Sequence, residues 1–188
     1  DKPENINSHT AKELTNGKII ARFNGRMEWG ARALGNRSII ADGRNPDVVI
    51  KINEAIKNRD FWMPFACSVL EEKAEDYFTL LNDRISYSHM TCCADSTDKG
   101  KLELKAALHQ YDLTGRPHLV SLTSNAEYYN LIQAFGSITG TYGLLNTSLN
   151  LHGSPVCSSA NDAIFVYENS ELDYLIIGHY LLSKKKQK

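Results

Sequence analysis

Long apolar runs are missing from this 188-residue sequence. The longest, such as Tyr174-Leu175-Ile176-Ile177 and Ala163-Ile164-Phe165-Val166-Tyr167, fall far short of the ~20 residues a spanning helix needs. No cationic start followed by an apolar stretch marks a signal peptide, so the expected location is the cytoplasm. Cysteine is scarce: Cys67, Cys92, Cys93 and Cys157 show neither CxxC spacing nor the density of a disulfide scaffold, which predicts reduced thiols. Surplus positive charge is absent too. With 21 Lys and Arg against 22 Asp and Glu, the formal net charge is −1; this argues against a general nucleic-acid binder and makes any phosphate binding local. No G-x-x-x-x-G-K-[ST] occurs, no G-x-G-x-x-G follows a strand, and no G-x-S-x-G is present, so the P-loop, the dinucleotide fingerprint and the nucleophile elbow are excluded. His89, His109, His118 and His152 lack zincin spacing, and no protein metal site is expected. Initiator methionine is missing as well: the chain starts at Asp1, which predicts a piece of a longer polypeptide or a processed form.

What is present suits one globular domain, with 42% hydrophobic and 23% charged residues and enough length to bury a core. Strands are predicted at Lys18–Phe23, Ser38–Ala41, Pro64–Leu70, Ile85–His89, Leu119–Leu122, Gly143–Leu145 and Tyr174–Ile177. Helices are predicted from Ser8 to Leu14 with Gly17 as a stop, from an Asn45-Pro46 cap to about Lys57, from Glu71 to Leu81, after a Ser124/Glu127 capping box, and after Ser159/Asp162. Ala94–Gly100 reads as a polar loop, and the 184–188 tail as solvated. Helix and strand alternate, which implies an α/β fold.

Three polar clusters stand between these elements: the segment GRMEWGARALGNRS (25–38), Lys57-Asn58-Arg59 and Ser148-Leu149-Asn150. A triphosphate or acyl phosphate needs such groups, because guanidinium donates in pairs, lysine supplies a compact charge and glycines let backbone N–H groups approach phosphate oxygens. Ser148 and Asn150, two apart in an extended segment, face one side as a hydroxyl and an amide. Each cluster also has a plainer reading. Arg32 and Arg37 could pair with Glu28 and Asp42, Lys57 and Arg59 could complement a helix C-terminus, and 146–150 could be an Asx or Ser/Thr turn.

Together, and in this order, the clusters resemble a known family. Gly25–Ile39 closely resembles the GRMEFGPRALGNRSI signature of O-carbamoyltransferases of the nodulation, cephamycin and tobramycin type. Arg59 with Pro64–Leu70 is similar to that family's RPFAPSVL, and Leu144–Gly153 to its LLNTSFNxxGEP. The chain departs from the pattern at Ala31, Cys67 and Leu149, and His109–Arg116 is one residue longer than HxDGTxR.

The resemblance covers nearly all of 1–188 and implies a single carbamoyltransferase C-terminal domain: a YrdC-like open twisted mixed sheet with helices packed on it. It implies ATP-dependent conversion of carbamoyl phosphate to carbamoyl adenylate, with Mg2+ arriving on ATP. Transfer to a hydroxyl-bearing acceptor is implied for an N-terminal kinase-like domain, absent from this chain, where iron or a similar metal would sit. Under this reading Lys57, Arg59 and Arg32 neutralise phosphates as catalytic residues. Arg37 and Arg116 orient the acyl group or a phosphate, and Ser148 and Asn150 hold nucleotide or carbamate. The alternative is a non-catalytic nucleotide- or RNA-binding module of the same fold.

Overall fold

A computed structural model describes residues 2–57, 63–81 and 87–184, the side chain of Lys57 excepted. Its strands are β1 (Ile20–Phe23), β2 (Arg37–Ala41), β3 (Ala66–Leu70), β4 (Phe78–Thr79), β5 (Ala94–Ser96), β6 (Thr114–Gly115), β7 (Pro117–Val120), β8 (Gly143–Ser148), β9 (Tyr174–Ile177) and β10 (Tyr180–Ser183). Its α-helices are α1 (Ile6–Thr15), α2 (Asp47–Ile52), α3 (Ala74–Tyr77), α4 (Asp98–Glu103), α5 (Ala126–Thr139) and α6 (Ala160–Glu168), with a π-helical turn at Asn53–Lys57 continuing α2.

Seven strands form one sheet in the order β10-β9-β1-β2-β8-β3-β7, and β4-β5-β6 form a small second one. The large sheet is mixed: β1 runs parallel to β9 and β3 parallel to β7, while β2–β8 and β3–β8 are antiparallel. Its strands are apolar on both sides, because each side carries helices. Successive residues therefore enter different cores. Ile20, Ile40, Leu144 and Ile176 pack with Ala11 and Leu14 of α1 and with Tyr128, Leu131, Ile132 and Phe135 of α5. Ala21, Ile39, Leu145 and Leu175 pack on the other side with Val48 and Ile52 of α2 and with Ala163 and Val166 of α6. The expected α/β class and mixed sheet with packed helices is the architecture observed. The capping box at Ser159/Asp162 forms as expected, and Tyr128, Leu131, Ile132 and Phe135 make one buried stripe on α5.

Several local expectations are corrected. The helix expected over Glu71–Leu81 is a 3-10 turn, one α-helical turn and then strand β4. Thr97 N donates to Tyr77 O at 2.9 Å and Leu81 N donates to Tyr87 Oη at 3.1 Å, so the next helical bond is replaced at both ends; Leu81 is 70% exposed rather than buried. The polar stretch 94–100 pairs as β5 with Gly115 and Thr114 and then starts α4, capped by Thr97 Oγ1 accepting from Gly100 N. Tyr87–Met90 is a turn, not a strand, with Met90 at φ 56°; Ile85 lies outside the described residues. Asn125, not Ser124, caps α5, because the Ser124 hydroxyl is engaged with Ser121. β10, which sequence reading missed, adds an edge strand antiparallel to β9.

Candidate functional site

The segment joining β1 to β2 is held by its own polar residues. Arg22, 3% exposed in β1, donates to Gly35 O, and its guanidinium lies 5.3 Å from the Tyr128 ring centroid. Burial drops its pKa to about 10. Arg37, also 3% exposed, donates to Asn24 O (2.7 Å), Asn36 O (2.9 Å) and Gly25 O (3.2 Å) over the face of Phe23. Glu28 Oε1 accepts from the backbone N–H groups of Asn36 (2.6 Å) and Arg37 (2.8 Å). From α5, Asn125 Nδ2 donates to Asn36 Oδ1 at 3.0 Å.

Gly35 completes the bracing. It sits at φ +103°, and a Cβ there would lie 2.3 Å from Tyr128 Cδ1. Strain and overlap act together, so Gly35→Ala is expected to destabilise the fold by roughly 2–4 kcal/mol. Urea unfolding checks this, and an unchanged midpoint would overturn it.

With its ends stapled, the segment presents Arg32 to a cleft. Ala31, Arg32 and Ala33 form one wall; Ala66, Met90, Arg116 and the end of β8 (Asn146, Thr147, Ser148) form the rest. Arg116 follows β6, half-buried, with its Nε buried and unpartnered. Its pKa is lowered first by burial and then by the charge of Arg32. Among the described residues no carboxylate pairs with either arginine. Two cations that repel each other across a cleft hold an electrostatic vacancy for an anion.

Beneath the cleft lies a neutral polar layer. Asn146 in β8 is 1% exposed; its Nδ2 donates to Ala33 O and to Ser68 Oγ, both at 2.9 Å. Ser68 Oγ is 2.9 Å from His118 Nδ1, and the His118 ring stacks on Tyr128. Full burial holds His118 neutral, its pKa lowered to about 3. On the far side of Arg116 a second cavity is lined by Pro64, Phe65, Cys93, His109 and Asp112. There Asp112 Oδ1 accepts from Thr114 N and Oγ1 and meets His109 Nδ1 at 3.0 Å.

The residues singled out from sequence divide in three. Arg32, Arg116 and Ser148 share the cleft. Arg59 lies outside the described residues, as does the side chain of Lys57, whose backbone ends the π-helical turn. Arg37 and Asn150 stand outside the cleft lining: the NH1 and NH2 groups of Arg37 donate to loop carbonyls, and Asn150 is engaged within its own turn. β8 ends at Ser148, Asn150 Nδ2 donates to Leu151 O (2.9 Å) and Ser154 O (2.8 Å), and its Oδ1 accepts from Ser148 Oγ at 2.6 Å. The polar partner of Ser148 on the strand is therefore Asn146, two residues before it. The salt-bridge alternative is corrected, since Asp42 pairs with Arg44 at 2.6 Å and Glu28 with backbone. Arg22, Ser68, His118 and Asn146 were missed. Strand alternation applied backwards from Ser148 would have found Asn146.

Comparison with known proteins agrees with this geometry. The family model described as carbamoyltransferase C-terminus matches residues 11–184. Nodulation protein NolNO of Sinorhizobium fredii is 37% identical over 97% of this chain and 27% of its own length. The 3'-hydroxymethylcephem-O-carbamoyltransferase of Streptomyces clavuligerus is 29% identical over 88% of this chain and 30% of its own. The chain thus spans about a third or less of these curated relatives. Among solved structures, full-length HypF in a phosphate- and nucleotide-bound form superposes with a TM-score of 0.62 at 15% identity, covering 94% of this chain and 25% of that one. Such likenesses show the fold, which is YrdC-like. By the match across 11–184 and the identity to its relatives, the chain belongs to the carbamoyltransferase C-terminal family.

Proposed function

We propose that this domain makes carbamoyl adenylate from ATP and carbamoyl phosphate. The observation that carries the reading is the pair of unpaired arginines, Arg32 and Arg116, lining one cleft with Ser148 in a chain of the carbamoyltransferase family. Water cleaves carbamoyl phosphate to carbamate and orthophosphate. A carbamate oxygen then attacks the α-phosphorus of ATP; the new O–P bond forms as the bond to the bridging oxygen breaks, and pyrophosphate leaves with the electron pair. Arg32 and Arg116 hold the phosphoryl oxygens as charge grows on them, with Ser148 lining the same cleft. Lys57, which ends the π-helical turn, and Arg59, two residues on, supply further positive charge to the phosphates.

Mg2+ would arrive with the triphosphate and would neutralise phosphoryl charge beside Arg32 and Arg116. Among the described residues no three His, Cys, Asp or Glu cluster to hold a metal. Transfer to a hydroxyl acceptor belongs to a second, metal-bearing domain of the longer protein. No helix among the described residues is long and apolar enough to cross a membrane.

Pyrophosphate release is expected only when ATP and carbamoyl phosphate are both supplied to the full-length protein. No release, or release independent of carbamoyl phosphate, would overturn the reading. Tight, steeply salt-dependent retention of structured RNA on a filter would instead favour a binding module.

A further inference from the structure

The two guanidinium groups of the cleft can only donate, while the Ser148 hydroxyl gives its proton to Asn150 Oδ1. Phosphoryl and carboxylate oxygens only accept, so these donors suit ATP and the oxygens of any acyl group alike. They cannot tell a carbamoyl group from an acetyl group, because the two differ by NH2 against CH3. Recognition of the carbamoyl nitrogen requires an acceptor, and Asn146, one of the residues lining the cleft, carries one.

Asn146 is fixed in orientation by what surrounds it. The carbonyl of Ala33 can only accept, so the amide NH2 must face it, and the second N–H goes to Ser68 Oγ; both contacts are 2.9 Å. Ser68 is held in turn by His118, which burial keeps neutral. Both amide protons are thereby used, and Asn146 Oδ1 is left buried with no partner. An unpaired buried acceptor destabilises a fold unless something fills it. Here it belongs to a residue of the cleft that also contains Arg32, Arg116 and Ser148.

We infer that Asn146 Oδ1 accepts a hydrogen bond from the carbamoyl N–H and so selects carbamoyl over acyl groups that lack one. The inference rests on the adenylate-forming reading above and adds the residue that sets its acyl specificity. Asn146 acts by binding, and Ser68 and His118 by positioning it. A site built around a substrate N–H discriminates strongly against an analogue that leaves its acceptor unpaired.

The test compares carbamoyl phosphate with acetyl phosphate in ATP-dependent pyrophosphate release by the full-length protein. The wild type is expected to prefer carbamoyl phosphate by about a hundredfold or more. In Asn146→Leu the carbamoyl-dependent kcat/KM should fall at least about tenfold, the acetyl-dependent rate should hold or rise, and the Kd for a non-hydrolysable ATP analogue should not change. Wild-type indifference to the two donors, or a preference kept in Asn146→Leu, would overturn the inference while leaving adenylate formation standing. No pyrophosphate release with either donor would overturn both. Should Asn146→Leu not fold, a crystal structure of the wild type with 5′-O-(N-carbamoylsulfamoyl)adenosine decides. Its terminal NH2 within about 3.2 Å of Asn146 Oδ1 supports the assignment, and that NH2 bound anywhere else refutes it.

Discussion

Arg116→Met is expected to lower kcat/KM for carbamoyl-phosphate-dependent pyrophosphate release roughly 10²–10³-fold, about 3–4 kcal/mol, the cost of deleting one preorganised donor to developing charge. The same substitution should leave thermal stability unchanged or raised. Among the described residues Arg116 makes no hydrogen bond that its loss would orphan, its Nε is buried without a partner, and its charge faces that of Arg32. Removing it relieves both desolvation and repulsion. Arg37→Met is the control with the opposite signature. It strips donors from the carbonyls of Asn24, Gly25 and Asn36, and hydrogen bonds from a charged donor contribute roughly 1.5–3 kcal/mol each, so the unfolding midpoint falls. Steady-state kinetics and urea denaturation on the two variants separate a binding arginine from a bracing one. Full activity in Arg116→Met would remove that residue from the mechanism.

Acid destabilises this fold in a window set by His118. The imidazole titrates near 6.5 when unfolded and at about 3 when buried against Ser68 and Tyr128. The unfolded chain therefore binds a proton that the folded chain refuses. Stability is fully present above pH 6.5 and is lost as pH falls toward 3, by about 1.4 kcal/mol per unit. By pH 4 the loss reaches roughly 3 kcal/mol. Asp162, held near 2 by hydrogen bonds from Ser159 and Ser158, has the sign of a depressed carboxylate. Its contribution disappears only below its unfolded value of 3.8, so it does not blur the range from 6.5 to 4. Urea midpoints measured from pH 7 to 4 should fall steeply in the wild type and more gently in His118→Gln. Parallel curves would show that His118 is not the group responsible.

Much of this was legible before any coordinates. Alternation marked β1, short apolar runs marked β2, β8 and β9, and the 3.6-residue stripe Tyr128-Leu131-Ile132-Phe135 marked α5, because local pattern reflects which faces are buried. The GRMEWGARALGNRS segment and the pair of motifs after it pointed to the family. Failures came where a residue's partner is distant in sequence. Helix 71–81 was cut short by Thr97 and Tyr87, and the loop 94–100 became strand and helix through pairing with 114–115 and a Thr97 cap.

The arginines show the same limit most clearly. Arg22, Arg32, Arg37 and Arg116 are chemically identical in a sequence, and composition can say only that cations are near glycines. Position in the fold decides between them. Arg22 and Arg37 lie on β1 and β2, where their side chains donate to loop carbonyls, whereas Arg32 and Arg116 lie on connections that line one cleft, with no carboxylate among the described residues paired to either. Sequence by itself determined the family and the α/β alternation. Tertiary structure alone decided which arginines brace the loop and that Asn146 rather than Asn150 lines the cleft of Arg32 and Arg116, because contacts between separate segments, such as Asn146 with Ala33 and Ser68, are set by packing and not by local spacing.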